Sequence, residues 1–281
     1  MTAHVEVMEL VARLKAAEET FVLATVVRTV SVTAAKAGAK AIIRPDGTIV
    51  AGWIGGGCAR GAVLKAAREA LVDGEPRMVS VQPENLLAEL GVKPGEDRDG
   101  VRFAENMCPS KGTMDIFVEP VLPHPSLVIL GVSPVALSLA AQGRQLGYHV
   151  ALAAPVADLP DTPDADLLID GYVLGRLHEA RRFVVVSTQG KGDEAALRAA
   201  ASTDAAYHAF VGSRRKMAAL RAKLVAEGIE ASALDRIKAP AGLDLGAITP
   251  EEIAMSILAE ITIERRRGQR RAKPSQTPPG L

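Results

Sequence analysis

The residue best placed to do chemistry is Cys58, in the run Gly52-Trp53-Ile54-Gly55-Gly56-Gly57-Cys58-Ala59-Arg60. Three consecutive glycines permit positive φ and close approach of a bulky ligand. Ala59 to Leu71 reads as a helix, so the free N–H groups of its first turn would point into the glycine loop. A cysteine at or beside a helix N-terminus is favoured as thiolate, and Arg60 adds to that field. The setting suits a nucleophilic or sulfur-handling thiol. The alternative is a small buried cysteine in a tight turn. The other cysteine, Cys108, lies in Met107-Cys108-Pro109-Ser110-Lys111-Gly112, a turn-rich segment before a strand. The two fit neither a CxxC redox pair nor a zinc ribbon. The five histidines are scattered, so no histidine-rich metal site is expected.

Three segments in the second half could hold an anion. LVILGVSPVALSLAAQ places Gly131 at the first position of a dinucleotide fingerprint, Ser133 at the second and Ala136 at the third. Alanine suits the third position, but serine at the second crowds the pyrophosphate. The acid expected at the end of the next strand is missing, since HVALAA ends in Ala154-Pro155. The fold reading therefore stands while NAD(P) binding is disfavoured. Thr188-Gln189-Gly190-Lys191-Gly192-Asp193 puts glycines and Lys191 before a helix, where an anion can sit; otherwise it is a plain turn capped by Asp193. In Gly212-Ser213-Arg214-Arg215-Lys216, Ser213 is a candidate N-cap. The three cations after it oppose the helix dipole unless an anion or an acidic neighbour compensates.

The elements that must position these residues fall into two groups. Val7, Val11 and Leu14, with Met8, give an opening helix its apolar stripe. Phe21 to Val30 reads as a buried strand, and AKAII, Pro45-Asp46-Gly47 and TIVAGW as a hairpin. Met78 to Val81 and Met114 to Pro120 are further strands. The charged stretch between them reads as a short helix and a mobile loop. After the proline-bearing linker 121–126, strands alternate with helices: LVILG, Val135 to Leu146, HVALAA, DLLID, FVVVSTQ, Asp193 to Ala201, YHAFVG and Arg214 to Glu227. That alternation implies a parallel, doubly wound sheet. Thr249-Pro250-Glu251-Glu252 is a capping box opening a last helix, and the Gly- and Pro-rich loop before it could close over the sheet edge. The expected fold is α/β: an N-terminal α+β domain, 1–120, then a Rossmann-like domain, 127–266. Residues 267–281 read as a basic, disordered tail.

The 281 residues are 48% hydrophobic and 23% charged, with zero net charge. That composition is a soluble globular protein's. The charge argues neither for nor against nucleic acid, and no such partner is expected. No apolar run reaches membrane length and the N-terminus is no signal peptide, so the expected compartment is the cytoplasm, where a structural disulfide is disfavoured.

Taken in order along the chain, several motifs resemble the XdhC/CoxI family of xanthine dehydrogenase and carbon monoxide dehydrogenase accessory proteins. They are LATVVRTVSV, GAKAIIRPDGTIVAGWIGGGC, Cys108 with Gly112 before Glu119-Pro120, VVVSTQGKGDEAAL, FVGSRRK and APAGLDLGAITPEEIAMSILAEI. The resemblance implies that the chain binds molybdenum cofactor, as molybdopterin or its cytosine dinucleotide. It also implies help with sulfuration and delivery to an apo-molybdoenzyme, alongside a cysteine desulfurase. Carried over, Gly55, Gly56, Gly57 and Cys58 match the first motif and Cys108 the second cysteine, with Cys58 the candidate contact to molybdenum. Ala59-Arg60 replaces the Val-Glu common in the xanthine dehydrogenase branch, and Cys108-Pro109-Ser110 replaces Cys-Gly-Gly. The run Gly52 to Ala59 resembles the carbon monoxide dehydrogenase branch more closely, while Pro109-Ser110 disfavours close backbone approach at Cys108. A cofactor chaperone without turnover of its own is the leading reading, and a homodimer its expected form. Its rivals are an NAD(P)-dependent oxidoreductase and a scaffold that docks desulfurase and apo-enzyme.

Overall fold

The computed structural model of the protein describes residues 3–109, 111–161, 164–175 and 181–266. Ser110, His178 and the basic tail 267–281 lie outside the described residues. The chain divides into two compact units, Met1–Pro123 and His124–Leu281.

The first unit runs α1 (Ala3–Ala16), β1 (Phe21–Val30), β2 (Lys40–Ile43), β3 (Ile49–Gly52), α2 (Gly57–Asp73), β4 (Arg77–Gln82), α3 (Glu84–Leu90), β5 (Asp97–Arg98), β6 (Val101–Glu105) and β7 (Thr113–Val121). Its seven strands are ordered β3-β2-β1-β7-β4-β6-β5. Alternation in β1 sends side chains to opposite faces. Val22, Ala24 and Val26 join Ile116 and Val118 under Val63, Ala66 and Ala67 of α2. Phe21 points the other way, with Ile42, toward Val7, Val11 and Leu14 of α1. Met8 is 43% exposed, so the apolar stripe of α1 is narrower than the sequence suggests.

The stretch read as a mobile loop is instead ordered sheet. Asp99 and Gly100 both take positive φ, 51° and 79°, the backbone of a two-residue hairpin turn. They fold β5 onto β6, which pairs in parallel with β4. Arg102 pins the hairpin to the helix layer, bonding Asp97 at 2.7 Å and Glu69 of α2.

The second unit contains β8 (Ser126–Leu130), α4 (Pro134–Gln145), β9 (His149–Ala154), a 3-10 turn (Val156–Asp158), β10 (Leu167–Asp170), β11 (Arg182–Val186), α5 (Asp193–Ser202), β12 (Tyr207–Phe210), α6 (Arg214–Ala226), α7 (Ala231–Asp235), β13 (Ile237–Lys238) and α8 (Pro250–Arg266). Each strand pair is parallel, in the order β10-β9-β8-β11-β12-β13. β8 and β11 are buried over nearly their whole length, as sheets covered on both faces require. Leu127, Ile129 and Val185 face α4 and α8, while Val128, Val184 and Val186 face α5 and α6. This is the expected Rossmann-like arrangement, with strand order reversing between β8 and β11. The Thr249–Glu252 capping box forms: Thr249 N–H donates to the Glu252 carboxylate at 3.0 Å, and Glu252 N–H to Thr249 Oγ1 at 3.3 Å.

Two measurements test this packing. A Cβ on Gly131, at φ +116°, would lie 2.3 Å from the carbonyl oxygen of Ser187. Gly131→Ala should cost about 1–3 kcal/mol in denaturant unfolding, and unchanged stability would refute that close approach. His208 is buried in β12, its Nε2 donating to the Thr203 carbonyl at 2.9 Å. Burial, seconded by Arg236, holds His208 below the ordinary imidazole range against the pull of Thr203 and Asp204. The unfolded chain therefore binds the proton first. Stability from this group is complete above the unfolded value of about 6.5 and is lost as pH falls toward the depressed folded one. His208→Gln should lose less Tm than the parent between pH 7.5 and 5; an equal loss would exclude His208 as a source.

Candidate functional site

Strand directions gather the candidate residues of the first unit. β1, β3, β4 and β6 run one way and β2 and β7 the other. The loops leaving β1, β3, β4 and β6, and those entering β2 and β7, therefore share one sheet edge. The glycine–cysteine run leaves β3 there, and the Cys108 loop enters β7 there.

Within the glycine run, the glycines differ in what demands them. Gly52 sits at φ +80°, and a Cβ on it would fall 1.9 Å from the carbonyl oxygen of Lys40. Gly55 sits at φ +113°, with the methyl of Met114 3.0 Å from its Cβ position. Those two are required by the fold. Gly56 takes an ordinary extended conformation, φ −82° and ψ −165°, as N-cap of α2, and Gly57 is the first helical residue. A Cβ on either would meet nothing within 4 Å. Neither packing nor backbone strain calls for glycine there, and the space beside them is free.

Cys58 is the second residue of α2, half-buried, and packs on the core of the unit. The first helical donor with a backbone acceptor is Arg60 N–H, bonded to the Gly56 carbonyl at 2.9 Å. No side chain caps the helix. The N–H groups of Gly57, Cys58 and Ala59 thus precede the first N–H with an intrahelical acceptor, the donor set that a helix start offers an anion. Arg60 is exposed.

Cys108 is exposed on a loop held by Asn106, a residue the motifs did not single out. Asn106 Oδ1 accepts from Cys108 N–H at 3.0 Å, and its amide donates to the Gly112 carbonyl at 2.6 Å. Its own N–H bonds the Gln82 carbonyl at 2.7 Å, tying the loop to β4. Gly112 lies against Val32, whose carbonyl oxygen is 2.2 Å from its Cβ position. Met114, two residues on, touches Gly55, so the two cysteine-bearing loops adjoin. Both thiols are free. Val30, Val32, Trp53 and Met107 are all exposed along this edge.

The second unit presents its candidates at the carboxyl edge of the parallel sheet, where open α/β folds bind ligands. Ser133 is the N-cap of α4: its Oγ accepts from Ala136 N–H at 3.1 Å and bonds Ser187 Oγ at 2.6 Å. Pro134 follows and has no N–H to offer. A pyrophosphate at this helix would meet an occupied cap and few donors.

At the next turn, Gly190 and Gly192 have φ of +100° and +82°, and Lys191 is exposed. The expected Asp193 cap is not formed. Gly192 is the N-cap and Asp193 begins α5, where its buried carboxylate accepts from the Thr188 hydroxyl and pairs with Lys216 Nζ at 2.6 Å. Lys216 also stands 5.3 Å above the Phe210 ring. Asp193 is therefore the acidic neighbour that offsets one of the three cations of α6. Arg214 and Arg215 are exposed, and Ser213 caps their helix by accepting from Lys216 N–H at 3.2 Å.

Three cavities follow this edge. One of about 210 Å³ lies between Gly131, Ser133, Asp158, Tyr172, Gln189 and Lys191. A second, about 230 Å³, shares Ser133 and Gln189 with it. A third, about 570 Å³, shares Val211 with the second and is walled by Ser213, Arg214 and the loop 239–247. The Gly- and Pro-rich loop thus lines the sheet edge. Glu260 anchors it by accepting from Gly242 N–H at 3.0 Å and Tyr207 OH at 2.5 Å and pairing with Lys238. A larger cavity, about 890 Å³, opens toward Arg182 and Asp204 and contains none of the candidate residues. Asp158 and Tyr172 had no signal in the sequence fingerprint.

Both units are similar in sequence to known proteins. The family model described as the XdhC Rossmann domain matches residues 127–261, and that of the XdhC and CoxI family matches residues 14–82. YqeB of Escherichia coli strain K12 is 29% identical over 231 residues, 79% of this chain and 40% of YqeB. A Bacillus subtilis strain 168 protein described as a probable xanthine dehydrogenase subunit is 29% identical over 163 residues, 55% of this chain and 47% of that one. The chain thus spans less than half the length of these curated relatives. A crystal structure described as a xanthine dehydrogenase from Bacillus halodurans aligns over 98% of both chains at 19% identity, with a TM-score of 0.45. With one family model on the glycine–cysteine unit and the other on the parallel-sheet unit, in sequence order, the chain belongs to the XdhC/CoxI family.

Proposed function

We propose that this protein is an accessory factor in the maturation of a molybdoenzyme of the xanthine dehydrogenase and carbon monoxide dehydrogenase class. It would bind molybdenum cofactor, as molybdopterin or its cytosine dinucleotide, assist its sulfuration and pass it to the apo-enzyme. The observation that carries the reading is the free space at Gly56 and Gly57 beside Cys58. Neither packing nor backbone strain asks for glycine at Gly57, the first helical residue. A bulky anionic cargo would use that space: the N–H groups of Gly57, Cys58 and Ala59 can donate to it beside the Cys58 thiol. Cys108, on the adjoining loop, is the second thiol. The exposed apolar residues of the same edge suit transient docking of a cysteine desulfurase or of the client. Self-association as a homodimer belongs to the same proposal.

One observation favours the rival oxidoreductase reading, namely the strand order of the second unit. The Ser133 cap and Pro134 oppose it, because they remove the donors a dinucleotide pyrophosphate needs. Among the described residues no helix is long and apolar enough to cross a membrane.

Gly57→Leu separates cargo binding from folding, since its side chain would enter open space. Its stability should stay within about 1 kcal/mol of the parent, while anaerobic binding of molybdenum cofactor falls at least about tenfold. Cys58→Ser should abolish client activation and Cys108→Ser should reduce it. Parent-like cofactor binding by Gly57→Leu together with parent-like activation by Cys58→Ser would overturn the proposal. NAD(H) or NADP(H) binding in calorimetry, without cofactor binding, would favour the oxidoreductase.

A further inference from the structure

The smallest of the three cavities at the sheet edge combines groups that the dinucleotide fingerprint does not predict together. The strand that should end in an acid, β9, ends in Ala154-Pro155. One short turn later the chain supplies Asp158, and that turn is fixed: Val156 N–H donates to the Asp170 carboxylate at 2.9 Å, and Asp158 N–H to the Pro155 carbonyl at 2.8 Å. Asp158 lines the cavity beside Gly131, with Lys191 on the opposite, β11–α5 side. Tyr172 stands between the two strand ends, its ring packed where a Cβ on Gly192 would lie 3.0 Å away. Burial, then the charges of Asp158 and Asp193, push the Tyr172 phenol up, so the Asp158 carboxylate reaches this ring electrostatically. Neither Asp158 nor Lys191 makes a side-chain hydrogen bond or ion pair among the described residues.

We infer that this cavity is a ribonucleoside-phosphate subsite, in which Asp158 accepts from the ribose hydroxyls and Lys191 binds the phosphate. An ionised carboxylate is an acceptor with room for two hydroxyl donors, and it repels a phosphate toward the opposite wall. There Lys191 supplies the cation, and α5 begins with a glycine cap and no side-chain cap bond. The usual phosphate position at α4 is closed by the Ser133 hydroxyl and by Pro134. The phosphate is thereby displaced from the first strand-to-helix turn to the one after β11. At about 210 Å³ the cavity is smaller than the roughly 300–1,000 Å³ of a drug-sized pocket. It takes the ribose and phosphate of one nucleotide and not a complete dinucleotide, with the base left to the adjoining space. The inference rests on the proposed cofactor role only in that it assigns the nucleotide-bearing form of the cargo to this unit.

The test is calorimetric titration of the full chain with CMP and AMP, with their 2′-deoxy counterparts, and with cytidine and adenosine. A ribonucleotide should bind, and removal of the 2′-hydroxyl should weaken it about tenfold or more. Asp158→Asn should remove that discrimination, because the carboxylate is lost from an exposed position. Lys191→Ala should weaken the nucleotide and leave its nucleoside unchanged. Equal affinity for ribo- and deoxynucleotides, unchanged discrimination in Asp158→Asn, or no binding at millimolar ligand would each overturn the inference. Client activation by Asp158→Asn charged with molybdopterin, which has no ribose, reports separately on the proposed function.

Discussion

Backbone meeting backbone without a Cβ between them is the constraint on which both candidate sites depend. At Gly52, Gly112 and Gly131 the gap to a carbonyl oxygen would be 1.9, 2.2 and 2.3 Å from any added Cβ. The first folds β3 onto β2 immediately before the glycine–cysteine run. The second presses the Cys108 loop against the end of β1. The third closes β8 onto β11 at the point where strand order reverses. Each contact fixes where a loop leaves its sheet, and therefore where a thiol or a helix start ends up. Gly56 and Gly57 lie outside this scheme, which is why their glycine character needs a different cause.

The helix starts divide the molecule chemically. α4 and α6 satisfy their own first turns with Ser133 and Ser213. α2 and α5 begin with Gly56 and Gly192 and have no side-chain cap. Unsatisfied N–H groups are free donors, so among these four helices a ligand gains most at α2 and α5. Charge is divided in the same way. Asp193 neutralises Lys216 inside the fold, with the lysine 38% exposed so that water shares the load. Arg214, Arg215 and Lys191 remain at the surface of the sheet edge.

Much of this was legible in residue order. The strand Phe21–Val30, the hairpin around Pro45-Asp46-Gly47, the alternation after Pro123 and the Thr249 capping box follow from period, turn chemistry and caps, all local signals. The failures are equally physical. Asp99-Gly100 is a hairpin turn, but its flanks, Asp97-Arg98 and Val101-Arg102, are too charged and too short to read as strands until β6 pairs with both β4 and β5. Asp193 reads as a cap because aspartate usually caps, yet Gly192 takes that place and frees the carboxylate for Thr188 and Lys216. Asp158 reaches the sheet edge through a 3-10 turn, which carries no periodicity. The adjacency of the Cys58 and Cys108 loops is a matter of strand direction, and no spacing of two cysteines encodes it.

Trp53 is the only tryptophan of the chain, and at 55% exposed it stands just before the glycine run. An indole half in water changes its emission when its surroundings dry out or when a metal-bearing group comes near. The chain therefore contains its own optical probe at the edge where the thiols lie, and the three tyrosines contribute only background. Occupancy of that edge can be followed in real time on the unlabelled protein, with no second indole elsewhere to dilute the signal.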